Sequence, residues 1–447
     1  MNNLLIKNAS VVNEGIVSLH DILIEDDVIT KILPAHHGVK SGGTRVIDAT
    51  GLYLFPGIID DQVHFREPGL TQKGDIASES AAAAAGGITS FMDMPNTIPQ
   101  TITLQELEHK NKIASESSVI NYAFYLGATN DNIEELRKAD PREVCGIKVF
   151  MGASTGNMLV DNPVALASIF SIKKIPITCH CEEESIIKEN FLAYHEEYGD
   201  DMSPAFHPLI RSRKACFASS SKAINLAHSL DTKLHILHLS TLEEISLFEA
   251  RKTPAGKQIT AEVCVHHLWF DDSSYATKGN LIKWNPAIKS DSDRQALREA
   301  LRNGRIDIIA TDHAPHTLQE KNYPYAKAPS GGPMVQHSLV VMMELYRHGV
   351  ISLENIAAKM CHNPAIVFNI KDRGYIREGY KADMVLVNPD SPWTVSKENL
   401  LYKCGWSPLE GTKFSSSIHT TIVNGTIVYE KGQLTGMKAA KRLQFDR

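Results

Sequence analysis

Gly57-Ile-Ile-Asp-Asp-Gln-Val-His-Phe65 joins a short apolar run to a cluster of polar, metal-capable side chains, and similar runs recur along the chain. They are GITSFMDMPNT (87–97), VINYAFYLGAT (119–129), GIKVFMGAS (146–154), IPITCHCE (175–182), KLHILHLS (233–240), ITAEVCVHHL (259–268) and IDIIATDHAPH (306–316). Each is rich in Ile, Val, Phe or Leu, as strands buried on both faces of a parallel sheet must be. Helix-like segments separate most of them. Residues 241–250 form one, and residues 290–304 form another, with Ser or Asp at its start and Gly at its end. The run Ala81–Ala85 is a helix stretch closed by Gly86-Gly87. Eight strands alternating with helices predict an α/β fold, a (β/α)8 TIM-type barrel. The long 183–232 connection reads as a helical insertion.

The flanks have a different texture. LLIKNASVV, DILIEDDVITKIL and TRVIDATGLYLF near the start, and ADMVLVNP and TIVNGTIVYEKG near the end, read as short strands with turns. Their expected arrangement is one small composite β-sheet domain from residues 1–54 plus 376–447, beside a barrel over 55–375. A length of 447 residues suits such a two-part architecture better than one small core.

The net charge of −6 offers no basic field for nucleic acid or an anionic membrane, so neither is expected as a partner. The N-terminus lacks the basic start and apolar core of a signal peptide, and no apolar run reaches the roughly 18 residues of a membrane span. Seven cysteines without a framework fit a reducing compartment. A cytoplasmic protein is expected, acting on a small molecule and assembling as a homo-oligomer.

Barrels of this kind carry their active sites at the C-terminal ends of the strands. There the sequence places His64 and Arg66, then Asn96, Lys148, His180, His238, Glu262 with His266, and finally Asp312, His313 and His316. One histidine at a strand end is usually structural; the recurrence over several strands is what marks a site. His64, Lys148, His180, His238 and Asp312 are the candidate metal set. Imidazole and carboxylate ligands suit Zn²⁺, which makes water nucleophilic at neutral pH. Asp312 is the candidate proton acceptor. Lys148 stands inside an apolar strand, where a charged amine is costly. Either it reaches the barrel mouth and pairs with a carboxylate, or its neutral amine has reacted with CO2 to give a carbamate that bridges two metals. Cys179 and Cys181 flank His180 and point away from it on a strand, as core residues.

These motifs resemble one family. Pro56-Gly57-Ile-Ile-Asp60, Val63-His64-Phe-Arg66-Glu-Pro-Gly69, Met94-Pro-Asn-Thr97, Gly146-Ile-Lys148, Cys179-His-Cys-Glu182, Leu237-His238-Leu-Ser240, Ala261-Glu262-Val263 and Thr311-Asp-His-Ala-Pro-His316 together resemble the class I dihydroorotases of the amidohydrolase superfamily. The resemblance implies a cyclic amide hydrolase that reversibly closes N-carbamoyl-L-aspartate to (S)-dihydroorotate in UMP biosynthesis. Metal-activated water would attack the ring carbonyl, with Asp312 as general base and acid. It implies one or two zinc ions per subunit bridged by N6-carboxylated Lys148. His64 and Asp312 would hold the first ion, and His180 and His238 the second. Arg66, Asn96 and His316 would grip the substrate carboxylate, Asn285 would contact the ring, and Ser154 would lie in a mobile loop (152–158) over the site. The sequence departs from the family where a His-x-His pair is usual: here it reads Gln62-Val-His64, which leaves the first metal position short of an imidazole. Two other readings stand beside this one. One is another cyclic amidase, of hydantoinase or allantoinase type; the other is a non-catalytic partner of aspartate transcarbamoylase.

Overall fold

The computed structural model describes residues 3–35, 44–152 and 158–447. Its centre is the expected barrel. The strands are β1 (Ile58–Val63), β2 (Ile88–Asp93), β3 (Asn121–Phe124), β4 (Ile147–Phe150), β5 (Ile177–His180), β6 (Leu234–Ile236), β7 (Ile259–Cys264) and β8 (Ile308–Ala310). Neighbours pair in parallel: β1 with β2 and β2 with β3, then β4 through β8 in sequence. The chain bends after Phe124, and Leu126–Gly127 carries the third strand on to pair with Ile147 and Lys148. The ring closes where Val63 bridges His313 and the His64 N–H donates to the His313 carbonyl at 2.7 Å.

The strands are short, apolar and buried, because helices cover their outer faces. The 290–304 helix forms as its ends dictate. It spans Asp291–Asn303, with Ser290 and Asp293 in a reciprocal capping box and Gly304 left-handed at φ +81°. The 183–232 insertion is helical over Glu184–Tyr198 and Arg213–Leu230. The 241–250 segment falls short of its expected helix. Only Leu242–Ile245 is helical, one turn between Thr241, which caps the Glu244 N–H, and Ser246.

Strands from both ends of the chain build one sheet. Met384–Asn388 pairs antiparallel with Tyr53–Pro56, and Tyr53–Pro56 runs parallel to Asn3–Asn13. Ile16–Glu25 and Val28–Pro34 extend one side; Ser417–Val423 and Thr426–Glu430 extend the other. Leu4, Ile6, Ile22, Leu54, Met384 and Leu386 form its separate apolar core. The final residues leave the sheet and run along the barrel. The Leu443 N–H donates to the Tyr122 carbonyl at 2.8 Å, and Arg447 donates to the carbonyls of Cys145 and Phe368.

Among the described residues no helix is long and apolar enough to cross a membrane. All seven cysteines are free; Cys179 and Cys181 are buried among core residues, as their strand positions require.

Candidate active site

The parallel strands end together, so their last side chains converge on one mouth. A cavity of about 260 Å³ opens there, lined among others by Gln62, His64, Arg66, Asn96, Lys148, His180, His238, Asn285 and Asp312. The structure therefore brings together residues that lie up to 250 positions apart in the chain. His316 lies directly behind Arg66. Ser154 falls outside the described residues.

Three of these residues leave the strand conformation at the point where they enter the site. Arg66, His238 and Asp312 have φ of +70°, +41° and +43°. For residues with a Cβ this costs on the order of 1–3 kcal/mol each and persists only where the surroundings enforce it. The enforcing contacts are present. The His238 N–H donates to Glu262 Oε1 at 3.1 Å, Trp284 Nε1 donates to the Asp312 carbonyl at 3.3 Å, and Arg66 Nε donates to the Pro315 carbonyl at 3.0 Å.

One half of the site holds His180 and His238. His180 Nδ1 faces His238 Nε2 at 3.0 Å. The other His180 nitrogen lies 3.0 Å from Glu182 Oε2, and Glu182 is paired in turn with Arg211. Burial alone would raise the Glu182 carboxyl, but Arg211 and His180 outweigh it and hold it down at about 2. Burial pushes both imidazoles below the ordinary histidine range. Two neutral rings thus meet nitrogen to nitrogen, one of them beside a carboxylate, an arrangement common among metal-ligating histidines.

The other half holds His64 and Asp312. His64 Nδ1 engages Asn96 Oδ1 at 2.7 Å, so that nitrogen carries the proton. The remaining Nε2 then faces Asp312 Oδ1 at 3.2 Å. A proton or a metal cation between them satisfies both atoms. Gln62 adds no lone pair here: its amide nitrogen donates to the same Asp312 oxygen at 3.2 Å, and its carbonyl accepts from Cys264 Sγ at 3.7 Å.

Lys148 is 1% exposed, with its ammonium 4.5 Å from the centre of the Phe150 ring. Among the described residues no carboxylate lies within ion-pair distance of it. Burial brings its pKa down to about 8, which makes the neutral amine accessible. This donor set fits a divalent metal: two neutral imidazoles, an imidazole lone pair against a carboxylate, and a buried amine.

A cationic corner of Arg66 and Lys73 lies beside the first half. Lys73 Nζ donates to His316 Nδ1 at 3.0 Å, and His316 Nε2 lies 3.0 Å from the Ser330 carbonyl. The proton therefore sits on Nε2. Arg66 Nη2, 3.0 Å from that same nitrogen, meets an N–H rather than an acceptor. Its guanidinium is 3% exposed, and burial lowers its pKa to about 10, so it remains charged and lacks an acceptor at that contact. Asn285 adds a buried Oδ1 with no hydrogen-bond partner among the described residues.

Not every metal-capable residue at a strand end reaches the cavity. His313 turns to Glu79 at 2.9 Å, His266 stacks on Trp284 at 4.2 Å between ring centres, and Glu262 points down into the barrel. Sequence reasoning missed Arg211, Trp284 and Lys73. Arg211 lies in the insertion, away from any strand end, so no pattern in the sequence marks it.

The amidohydrolase family profile matches residues 53–428. The chain belongs to the amidohydrolase family. It is similar to the dihydroorotase of Methanosarcina acetivorans, 33% identical over 92% of this chain and 89% of that protein. It is also 30% identical to the allantoinase of Bacillus velezensis, over 96% of this chain and 94% of that one. Among solved structures, L-hydantoinase (dihydropyrimidinase) from Arthrobacter aurescens superimposes with a TM-score of 0.93 at 27% identity, covering 99% of this chain and 100% of that one. The expected barrel, flanked by a sheet drawn from both termini, is thus an amidohydrolase architecture, and the likeness to dihydroorotases extends over most of the chain. A cyclic amide hydrolase is the activity class these findings support.

Proposed function

We propose that this chain is a dihydroorotase, interconverting N-carbamoyl-L-aspartate and (S)-dihydroorotate in pyrimidine biosynthesis. The observation that carries the reading is the free face of Arg66. A buried, charged guanidinium set against the His316 N–H seeks an anion, and dihydroorotate carries a ring carboxylate. Hydantoin and allantoin carry none.

His64, Asp312, His180 and His238 would hold one or two divalent ions of the zinc class, with Lys148 as the carboxylated bridge. When bound, such an ion supplies Lewis acidity and makes water nucleophilic at neutral pH. The chain's own residues do the rest. Arg66 and Asn96 fix the substrate carboxylate, which sets the cyclic amide over the His64–Asp312 and His180–His238 pairs. Asn285 Oδ1 accepts from a ring N–H. Asp312 takes the proton of the attacking water and returns it to the leaving amide nitrogen. Trp284, bonded to the Asp312 carbonyl, keeps that carboxylate aimed.

The likeness to an allantoinase and to a hydantoinase structure supports a second reading, a neutral cyclic amide as substrate. Gln62 motivates a third, a non-catalytic partner of aspartate transcarbamoylase. Zinc-reconstituted protein assayed on dihydroorotate, hydantoin and allantoin separates them. Preference for dihydroorotate supports the proposal, turnover of only the neutral amides supports the second reading, and no turnover with zinc bound supports the third.

A further inference from the structure

Below the active site, inside the barrel, lies a second group of metal-capable side chains. Asp61 on β1, His235 on β6 and Glu262 on β7 are each no more than 1% exposed, and their ligand atoms all lie within 4.8 Å of one another. The sequence pattern did not single out Asp61 or His235. Asp61 is fully buried, in a stretch of β1 where the register against β2 shifts between Asp60 and Val63.

The distances are informative. His235 Nε2 stands 3.3 Å from Asp61 Oδ2 and 3.6 Å from Glu262 Oε2. Charge-assisted hydrogen bonds between such groups are shorter, about 2.7–2.9 Å. Two atoms that each lie about 2.1 Å from a shared tetrahedral ion are instead separated by about 3.4 Å. Among the described residues neither Asp61 oxygen has a hydrogen-bond partner, nor do His235 Nε2 and Glu262 Oε2. Four orphaned polar atoms so deep in a barrel are costly. A proton on His235 Nε2 would be shared between two carboxylates at long distance, whereas one cation serves both and the imidazole as well.

The remaining atoms of the ligands are already fixed. His235 Nδ1 is engaged by Thr260 Oγ1 at 2.8 Å, which leaves Nε2 as the free ligand atom. Glu262 Oε1 accepts the His238 N–H, which leaves Oε2. A cavity of about 460 Å³ at the N-terminal ends of β5, β6 and β7 reaches His235, lined also by Leu234 and Thr260, on the side of the barrel away from the substrate.

We propose that Asp61, His235 and Glu262 form a structural site for a divalent cation of the zinc class, distinct from the catalytic set and reached from the opposite end of the barrel. The ion joins β1, β6 and β7. By fixing Glu262 it also fixes the His238 backbone, whose left-handed conformation depends on that carboxylate. The three ligands are buried below the substrate cavity, none of them lining it, so the role of the site is to hold the frame of the active site.

The test is an anomalous-difference map of the wild-type protein crystallised with saturating zinc, with metal content measured on the same preparation. A peak enclosed by the three side chains is expected. Asp61→Asn and His235→Gln are each expected to lose one molar equivalent of metal per chain while keeping the peaks at His180 and His238. No peak at the triad in saturating zinc overturns the proposal whether or not the upper site is filled. So does an unchanged metal count in a folded Asp61→Asn variant. Because neither readout uses turnover, failure here leaves the dihydroorotase reading untouched, and the reverse also holds.

Discussion

His64 Nε2 faces Asp312 Oδ1 at 3.2 Å while Asn96 holds the opposite ring nitrogen, so the two ligand atoms lie at the separation a shared coordination site requires. Gln62 donates to the same oxygen. Replacing it removes a donor and supplies a second imidazole. Gln62→His is expected to tighten zinc binding in this half by at least about tenfold, read by competition with a chelator. Equal affinity in the two proteins would show that the amide is no handicap.

Lys148 supplies the bridge if its amine is carboxylated. Lys148→Ala is then expected to lose metal together with activity, and acetate or propionate is expected to restore part of both by occupying the vacated space. Unchanged zinc content in the variant, measured by elemental analysis, contradicts a bridging role.

Arg66 is the discriminating contact for the substrate charge. Arg66→Gln keeps a planar donor but removes the charge. Truncating one partner of a buried charged pair costs roughly 2–5 kcal/mol, so kcat/KM for dihydroorotate is expected to fall ~30- to 5,000-fold, with KM rising. A fall in kcat alone would place Arg66 elsewhere in the reaction.

The sheet from the two termini is tied to the return segment by Asp27, which pairs with Lys381 at 2.7 Å and Lys441 at 2.6 Å. Burial raises its carboxyl, but the two lysines together outweigh this and bring it from 3.8 down to about 2. A depressed folded-state pKa contributes stability that is present above pH 4 and lost as pH falls toward 2. Asp27→Asn is therefore expected to lower Tm modestly at pH 6, with the gap to wild type closing between pH 4 and 2. The contribution is small because the pair is largely solvent-screened. A gap independent of pH would mean that packing, not charge, is what the substitution removed.

The sequence made the barrel legible because each strand is a compact apolar run that ends on polar residues, a pattern with a period and a direction. His64, Arg66, Asn96, Lys148, His180, His238, Asn285 and Asp312 were visible for the same reason, or through the motifs that carry the family resemblance. What stayed hidden depends on contacts across the fold. Arg211 comes from the insertion and acts through Glu182, so no local pattern marks it. Lys73 matters only because the chain returns His316 to its side. Asp61 looks like an ordinary strand residue, and only the fold brings it beside His235 and Glu262. The single-turn helix at Leu242–Ile245 was overread for a related reason: helical composition signals a helix, while its length is fixed by caps and by the need to rejoin β7.

The most direct measurement is the hydrolysis of dihydroorotate by purified protein whose zinc content has been determined in parallel. A dihydroorotase turns over dihydroorotate, and turns over hydantoin and allantoin far more slowly, with activity that tracks bound metal. Zinc-loaded protein that leaves dihydroorotate intact contradicts that assignment.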